Sequence, residues 1–161
     1  MTLLLIDVDG PLNPYAAKPH QKPAGYTTHR LSPTGWYGKP LRVWLNHNHG
    51  KMILDFCNRY SIEPVWATTW QHDANEMIGP HIGLPKLPVI EFDNSKEWKF
   101  PGVTKYIKNE KIIWLDDDFV MYGKLAKKFQ QENPDSILYL ISPQIGLTQS
   151  DLDEIGGRIE K

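Results

Sequence analysis

Leu3-Leu4-Leu5-Ile6-Asp7-Val8-Asp9-Gly10 is typical of a buried strand that ends in a polar loop. Its four consecutive apolar residues indicate a strand covered on both faces, as in a parallel sheet. The two aspartates follow at the carboxyl end, where ligands bind in open α/β sheets. This stretch therefore predicts both a central strand and the edge of a functional site.

Strand-like and helix-like segments alternate along the rest of the chain. Further strands are predicted at 64–67, 88–92, 112–115 and 137–141. Helices are predicted at 50–60, 71–78, 101–109 and 119–132, with a last one capped by Thr148 and by Asp151 three residues on. This alternation predicts an α/β fold with a mostly parallel central sheet flanked by helices. Residues 11–45, rich in Pro and Gly, predict a small flap insertion, with short strands near 26–28 and 41–44 and no large cap.

Length and composition narrow the class of protein. The chain has 161 residues and a net charge of -1, which suits a single domain over 1–161 without a global basic field. Cys57 is the only cysteine, so no internal disulfide can form and a reducing compartment is favoured. The short apolar N-terminus has no basic leader, and no apolar run approaches the roughly 18 residues of a membrane span. We expect a cytoplasmic protein that does not bind membranes.

Carboxylates and hydroxyls follow three of the predicted strands. Asp7 and Asp9 follow the first strand, Thr68 follows the second, and Asp116 and Asp117 follow a later one. Clustered carboxylates repel one another, and a divalent cation relieves that repulsion. Magnesium prefers oxygen ligands and is commonly held by carboxylates together with a substrate phosphate. An aspartate can also attack phosphorus and form an aspartyl phosphate.

These stretches resemble the motifs of the haloacid dehalogenase (HAD) superfamily. The stretch 3–10 is similar to its first motif, Val65-Trp66-Ala67-Thr68 to its second and Ile112-Ile113-Trp114-Leu115-Asp116-Asp117 to its fourth. One departure is Pro11, where many members have Thr. Asp-Gly-Pro-Leu-Asn-Pro, Val-Trp-Ala-Thr-Thr-Trp and Trp-Leu-Asp-Asp-Asp-Phe also resemble small HAD phosphatase domains of the polynucleotide kinase-phosphatase type. The resemblance implies a HAD-like Rossmannoid fold and a Mg²⁺-dependent phosphohydrolase.

The resemblance also implies a role for each matching residue. Asp7 would be the nucleophile and a metal ligand, and Asp9 would be the acid-base residue, with its backbone carbonyl on the metal. Thr68 would bind a phosphoryl oxygen. Asp116 would bind the metal directly, and Asp117 directly or through water.

The lysine of the third motif has three candidates. The family's lysine acts near the start of the helix before the fourth motif, and Pro101 marks that start. Lys99 is the preferred candidate because it is two residues before Pro101. Lys96 is the alternative, and Lys105 would lie well inside the helix.

Residues around the expected site could bind the substrate. In the flap, Arg30 is the best candidate for a phosphate contact, and Trp36 could stack on a base or ring. Thr69 and Trp70 follow the second motif; Thr69 also competes with Thr68 for its role, and Trp70 could stack like Trp36. The alternative is that the flap is a rigid surface loop with solvated basic residues.

The predicted function is hydrolysis of phosphomonoesters, with nucleotides or nucleic-acid ends as candidate substrates. Transfer of the phosphoryl group to an acceptor other than water is an alternative. A non-catalytic nucleic-acid-binding or regulatory HAD module is another, although such a module needs neither Asp7 nor Asp9.

Overall fold

Strands and helices alternate along the chain in the computed structural model, which describes all residues 1–161. The strands are β1 Thr2–Ile6, β2 Tyr26–Leu31, β3 Leu41–Asn46, β4 Ile62–Trp66, β5 Lys111–Asp116 and β6 Ile137–Leu140. The helices are α1 His49–Tyr60, α2 Gly79–Ile82, α3 Phe100–Ile107, α4 Gly123–Glu132 and α5 Gln149–Ile159, and a π-helical turn, Ala74–Ile78, precedes α2.

Four strands form the central sheet in the order β4-β1-β5-β6, and every neighbouring pair is parallel. Ile6 at the end of β1 is in register with Trp66 of β4 and with Leu115 of β5. These three strands therefore end at the same level of the sheet. The predicted α/β fold with a parallel sheet flanked by helices is confirmed.

Both faces of the sheet are buried, which explains the continuous apolar run of β1. Leu4 and Ile6 pack into one core cluster with residues of α1 and α5, including Ile53. Leu3 and Leu5 pack into a second cluster on the opposite face with residues of α3 and α4. Because successive side chains of a strand point to opposite faces, each face needs its own apolar set.

The flap segment carries an antiparallel hairpin formed by β2 and β3. Val43, Trp44 and Leu45 of β3 are buried, so this strand packs against the body of the protein. The exposed side chains of the hairpin are mostly on β2, including Arg30. The hairpin therefore has one anchored strand and one strand that faces solvent.

Several predicted elements differ in extent. Residues 88–92 form only one bridge, between Val89 and Trp66, because Pro88 has no N–H to donate to a ladder. The helix expected at 119–132 begins at Gly123, since residues 119–122 form turns. The capping box of Thr148 and Asp151 is present at the start of α5.

No helix of the chain is both long and apolar enough to span a membrane.

Candidate active site

Three adjacent strand ends carry the predicted catalytic side chains. Asp7 follows β1, Thr68 comes two residues after β4, and Asp116 is the last residue of β5. The backbone N–H of Asp7 donates to the Leu115 carbonyl over 3.2 Å, so the ladder continues to this point. All three polar side chains are buried, with Thr68 and Asp116 at 0 % exposure. Parallel register therefore brings together residues that are far apart in the sequence.

Lys99 lies between two of these carboxylates. It is the N-cap residue of α3, and its side chain is buried. Its Nζ lies 2.7 Å from Asp116 Oδ2 and 3.3 Å from Asp7 Oδ2. It also donates to the Ala67 carbonyl over 3.0 Å. Lys99 is thus connected to the ends of β1, β4 and β5 at once.

The charges of this cluster shift one another's pKa values. Burial raises the pKa of Asp7 well above its usual value, Asp116 and Asp9 raise it further, and Lys99 opposes them. Burial alone would lower the pKa of Lys99, but Asp7 and Asp116 outweigh it and the net pKa is raised. Lys99 therefore remains an ammonium, while the charge of Asp7 depends on nearby cations.

Asp7, Asp116 and Asp117 form a candidate metal site. Their carboxylate oxygens lie within 4.8 Å of one another. Burial is the main cause that raises the pKa of Asp117, to about 6. Gly10, at φ 104°, makes room for this group, because a Cβ there would lie 2.6 Å from the Asp117 carboxylate. An all-oxygen set of three carboxylates suits a hard divalent cation.

Two donors hold the Asp9 carboxylate apart from that metal set. Asn13 Nδ2 donates to Asp9 Oδ1 over 2.9 Å, and the Trp70 indole donates to Asp9 Oδ2 over 3.1 Å. Asn13 Oδ1 in turn accepts from the backbone N–H of Trp44 in β3 over 3.0 Å. The flap hairpin is thereby linked to the orientation of Asp9. The Asp9 carboxylate is therefore oriented by Asn13 and Trp70, and it is not part of the cluster of Asp7, Asp116 and Asp117.

A cleft of about 410 Å³ opens above these groups. Both strand ends and flap contribute to its walls, and the lining residues are Asp7, Asp9, Asn13, Tyr15, Leu41, Arg42, Val43, Thr69, Trp70, Trp98, Lys99, Asp117 and Asp118. The flap therefore contributes one wall of the cleft, through β3 and through residues just after the first motif. The Tyr15 hydroxyl donates to Asp117 Oδ2 from this wall.

An aromatic stack supports the segment that carries Lys99. Trp98 has φ 57°, a left-handed conformation that is rare for a bulky residue. Its ring stacks nearly parallel on Trp114 at 5.5 Å and on Tyr122 at 4.7 Å between ring centroids. These stacks hold the strained residue in place and direct the next side chain, Lys99, towards the carboxylates.

Other predicted site residues have different positions. Thr69 and Trp70 line the cleft, whereas Arg30 and Trp36 do not. Arg30 instead lines a separate groove along the hairpin. The exposed Trp36 donates its indole N–H to the Lys39 carbonyl at the tip of the hairpin. The structure therefore does not support a direct contact of either residue with a group bound at Asp7.

Among the lysine candidates, only Lys99 reaches the strand ends. Lys96 is exposed in the loop before α3, and Lys105 is exposed on that helix. Of the three lysines, Lys99 alone therefore lies beside Asp7 and Asp116.

Asn13 and Tyr15 are site residues that sequence reasoning missed, and Arg42 is one that it ranked below Arg30. Asn13 and Tyr15 flank the second proline after the first motif, and only their nearness to Asp7 and Asp9 could have pointed to them. Arg42 is one of several basic residues in the flap, and no local pattern ranks it above Arg30. Its place in the cleft follows from the pairing of β3 with β2.

No protein-family model matches this chain, and comparisons with curated proteins and with solved structures find no match either.

Proposed function

We propose that the protein is a Mg²⁺-dependent phosphohydrolase of the HAD type, which cleaves phosphomonoesters through an aspartyl phosphate on Asp7. One observation carries the proposal: a buried lysine bridges Asp7 and Asp116 at the ends of adjacent parallel strands, beside a third carboxylate, Asp117. A buried cluster with more carboxylates than cations needs further positive charge. A divalent cation supplies that charge and can bind a phosphoryl oxygen at the same time.

The donor set fits Mg²⁺. Asp7, Asp116 and Asp117 offer only carboxylate oxygens, and no His or Cys is part of the cluster. These three side chains would hold the ion, with the backbone carbonyl of Asp9 as the fourth protein ligand that the family resemblance implies. A bound Mg²⁺ would supply positive charge to the phosphoryl oxygens and would offset the repulsion among the carboxylates.

Asp7 and Asp9 would carry out the chemistry in two steps. In the first step, a carboxylate oxygen of Asp7 forms a bond to phosphorus, the bond to the ester oxygen breaks, and Asp9 gives the leaving alcohol its proton. In the second step, Asp9 accepts a proton from a water that attacks phosphorus, and the bond to Asp7 breaks with its electrons returning to the carboxylate. The hydrogen bonds from Asn13 and Trp70 support this role, because they fix the direction of the Asp9 carboxylate.

Lys99 and Thr68 would stabilise the transferring group. Lys99 is fixed by Asp116 and by the Ala67 carbonyl, so its charge is in place before any substrate binds. A preorganised ammonium lowers the energy of the transition state without a reorganisation cost. Thr68 would donate to a phosphoryl oxygen from the end of β4.

The test is a phosphate-release screen of phosphorylated metabolites, nucleotides and phosphate-ended oligonucleotides, with Mg²⁺ and with chelator. We expect turnover only with Mg²⁺, and a phosphoryl adduct on the peptide that contains Asp7 in rapidly quenched reactions. Asp7→Asn should abolish turnover. It should also raise the free energy of unfolding, because burial and the carboxylates of Asp116 and Asp9 disfavour the charged form of Asp7 and raise its pKa.

Asp55→Asn is the matched control, since Asp55 is exposed on α1. It should change neither turnover nor adduct formation. Turnover by Asp7→Asn at a comparable rate would overturn the covalent mechanism. Stoichiometric binding of Mg²⁺ without any turnover would instead favour the non-catalytic alternative, and product esters formed in the presence of added alcohols would favour phosphoryl transfer.

A further inference from the structure

A groove along the hairpin shares one lining residue, Arg42, with the cleft. It has a volume of about 350 Å³ and is lined by Pro19, Lys22, Thr28, Arg30, Arg42 and Trp44. Three of these six residues are cations, and none is acidic. Arg42 lines both this groove and the cleft above Asp7. A molecule bound at Asp7 can therefore extend along Arg42 into the groove.

The groove brings like charges together. Arg30 of β2 and Arg42 of β3 are directly opposite each other in the antiparallel register. Like charges in directly opposite positions destabilise a strand pair. None of the ion pairs in the protein includes Lys22, Arg30 or Arg42. No ion pair within the chain offsets this repulsion, and an anion bound between the side chains would do so.

The guanidinium of Arg42 stacks on Trp44 in an orientation that can bind an anion. Its guanidinium carbon lies 3.8 Å from the ring centroid of Trp44. Trp44 is itself buried, and its indole donates to the Thr28 hydroxyl over 3.1 Å. Stacking uses the flat face of the guanidinium and leaves its N–H edges free. Such an edge binds phosphate oxygens in pairs, with little side-chain entropy left to lose.

We propose that Lys22, Arg30 and Arg42 form a subsite, here called the hairpin subsite, for a second phosphate of the substrate. The inference rests on the proposed function, because the reacting phosphoryl group would lie at Asp7 while the second phosphate lies in the groove. The preferred substrate is then a phosphomonoester with another phosphate further along the molecule. A small bisphosphate and a phosphate-ended oligonucleotide share this chemistry.

The experiment compares Michaelis constants for three substrates. These are an aryl phosphate with one phosphate, a nucleoside 3′,5′-bisphosphate, and a short phosphate-ended oligonucleotide. Arg30→Gln and Arg42→Gln should each raise KM for substrates with a second phosphate about tenfold more than KM for the aryl phosphate, as expected for a lost charge-assisted hydrogen bond. Arg59→Gln is the matched control, because Arg59 is an exposed arginine that also contacts an aromatic ring, on α1. It should shift none of the three constants.

The comparison of the three substrates distinguishes the sources of the second phosphate. A selective effect with both phosphate-rich substrates supports the subsite for any bisphosphate, and an effect with the oligonucleotide alone supports it for a chain phosphate. Equal effects on all three substrates would overturn it. The urea midpoint of Arg30→Gln should also rise in phosphate-free buffer, and a lower midpoint would contradict the proposed repulsion between Arg30 and Arg42.

Failure of the proposed function is distinguishable from failure of the subsite. If the unmodified chain hydrolyses none of the substrates, the phosphohydrolase proposal fails. Equilibrium binding of the same bisphosphate then tests the subsite directly. Weaker binding in Arg30→Gln and Arg42→Gln, but not in Arg59→Gln, supports it, and equal binding by all variants overturns it.

Discussion

Replacement of Lys99 by methionine removes the cation at the centre of the candidate site. Its Nζ lies 2.7 Å from Asp116 Oδ2, 3.3 Å from Asp7 Oδ2 and 3.0 Å from the Ala67 carbonyl. Methionine keeps most of the length and apolar volume of the side chain. Lys99→Met therefore tests the charge more than the packing.

The expected loss of stability is large. Removal of one partner from a buried ion pair costs about 3–5 kcal/mol, because the remaining charge is left uncompensated. The raised pKa of Lys99 agrees in direction, since Asp7 and Asp116 stabilise its charge by more than burial destabilises it. Without Lys99 the pKa of Asp7 should rise further, so protonation relieves the repulsion in acid. The loss in free energy of unfolding should therefore be complete at pH 8 and become smaller as the pH falls.

The expected loss of activity follows from the same contacts. A preorganised group that stabilises developing charge is worth about 10²- to 10³-fold in kcat. We expect Lys99→Met to lose at least this much turnover at saturating Mg²⁺. Phosphate release and urea unfolding, both measured at pH 8 and pH 6, give the two quantities.

Lys96→Met is the control, because Lys96 is exposed, precedes the same helix and forms no ion pair. It should keep its activity and change stability by less than about 0.5 kcal/mol. Loss of activity in Lys96→Met with normal activity in Lys99→Met would refute the assignment. Unchanged stability of Lys99→Met at pH 8 would refute the energetic reasoning.

Two further predictions concern residues that shape the site and its supports. Burial lowers the pKa of His49, whose Nε2 contacts the Leu147 carbonyl, so the unfolded chain takes up a proton first as the pH falls. Stability from His49 should be complete above pH ~6.5 and decline below it by up to about 1.4 kcal/mol per pH unit, as urea midpoints between pH 7.5 and 5.5 would show. Gly10→Ala should cost about 1–3 kcal/mol and weaken Mg²⁺ binding, measured by calorimetry, because φ 104° disfavours a side chain and the new Cβ would displace Asp117.

Each of these two predictions is checked with a further variant. His49→Gln should flatten the pH dependence, and an unchanged slope would show that other groups cause it. Gly157→Ala is the control for Gly10→Ala, because a Cβ at Gly157 meets nothing within 4 Å. Normal Mg²⁺ affinity in Gly10→Ala would contradict the close packing of Gly10 against Asp117.

Local patterns were sufficient for the four strands of the central sheet, though not to exclude 88–92, and for the polar residues at the strand ends. The apolar run of β1 and the polar residues after it are properties of a few consecutive positions, and so are the strand before Asp116 and the capping box of Thr148. Parallel strands in register then bring Asp7, Thr68 and Asp116 together, since their carboxyl ends share one edge of the sheet. That part of the candidate site is predictable because it needs only the strand ends and a parallel sheet.

Tertiary structure alone decided how the flap meets this edge. The backbone N–H of Trp44 in β3 donates to Asn13, which in turn donates to Asp9. Arg42 lines both the cleft and the groove of the hairpin, whereas its cross-strand neighbour Arg30 lines only the groove. Composition cannot distinguish these two arginines, since both are basic residues on adjacent hairpin strands. Packing of the buried face of β3 sets the orientation of the hairpin, and that packing depends on residues distant in the sequence.

The same distinction explains the segment before α3. Pro101 marked the start of the helix, which made Lys99 the preferred candidate. The inward direction of its side chain depends on Trp98, whose left-handed backbone is held by stacking on Trp114 and Tyr122. No periodicity encodes that conformation, because two rings from other parts of the chain must be in place before the strain is offset.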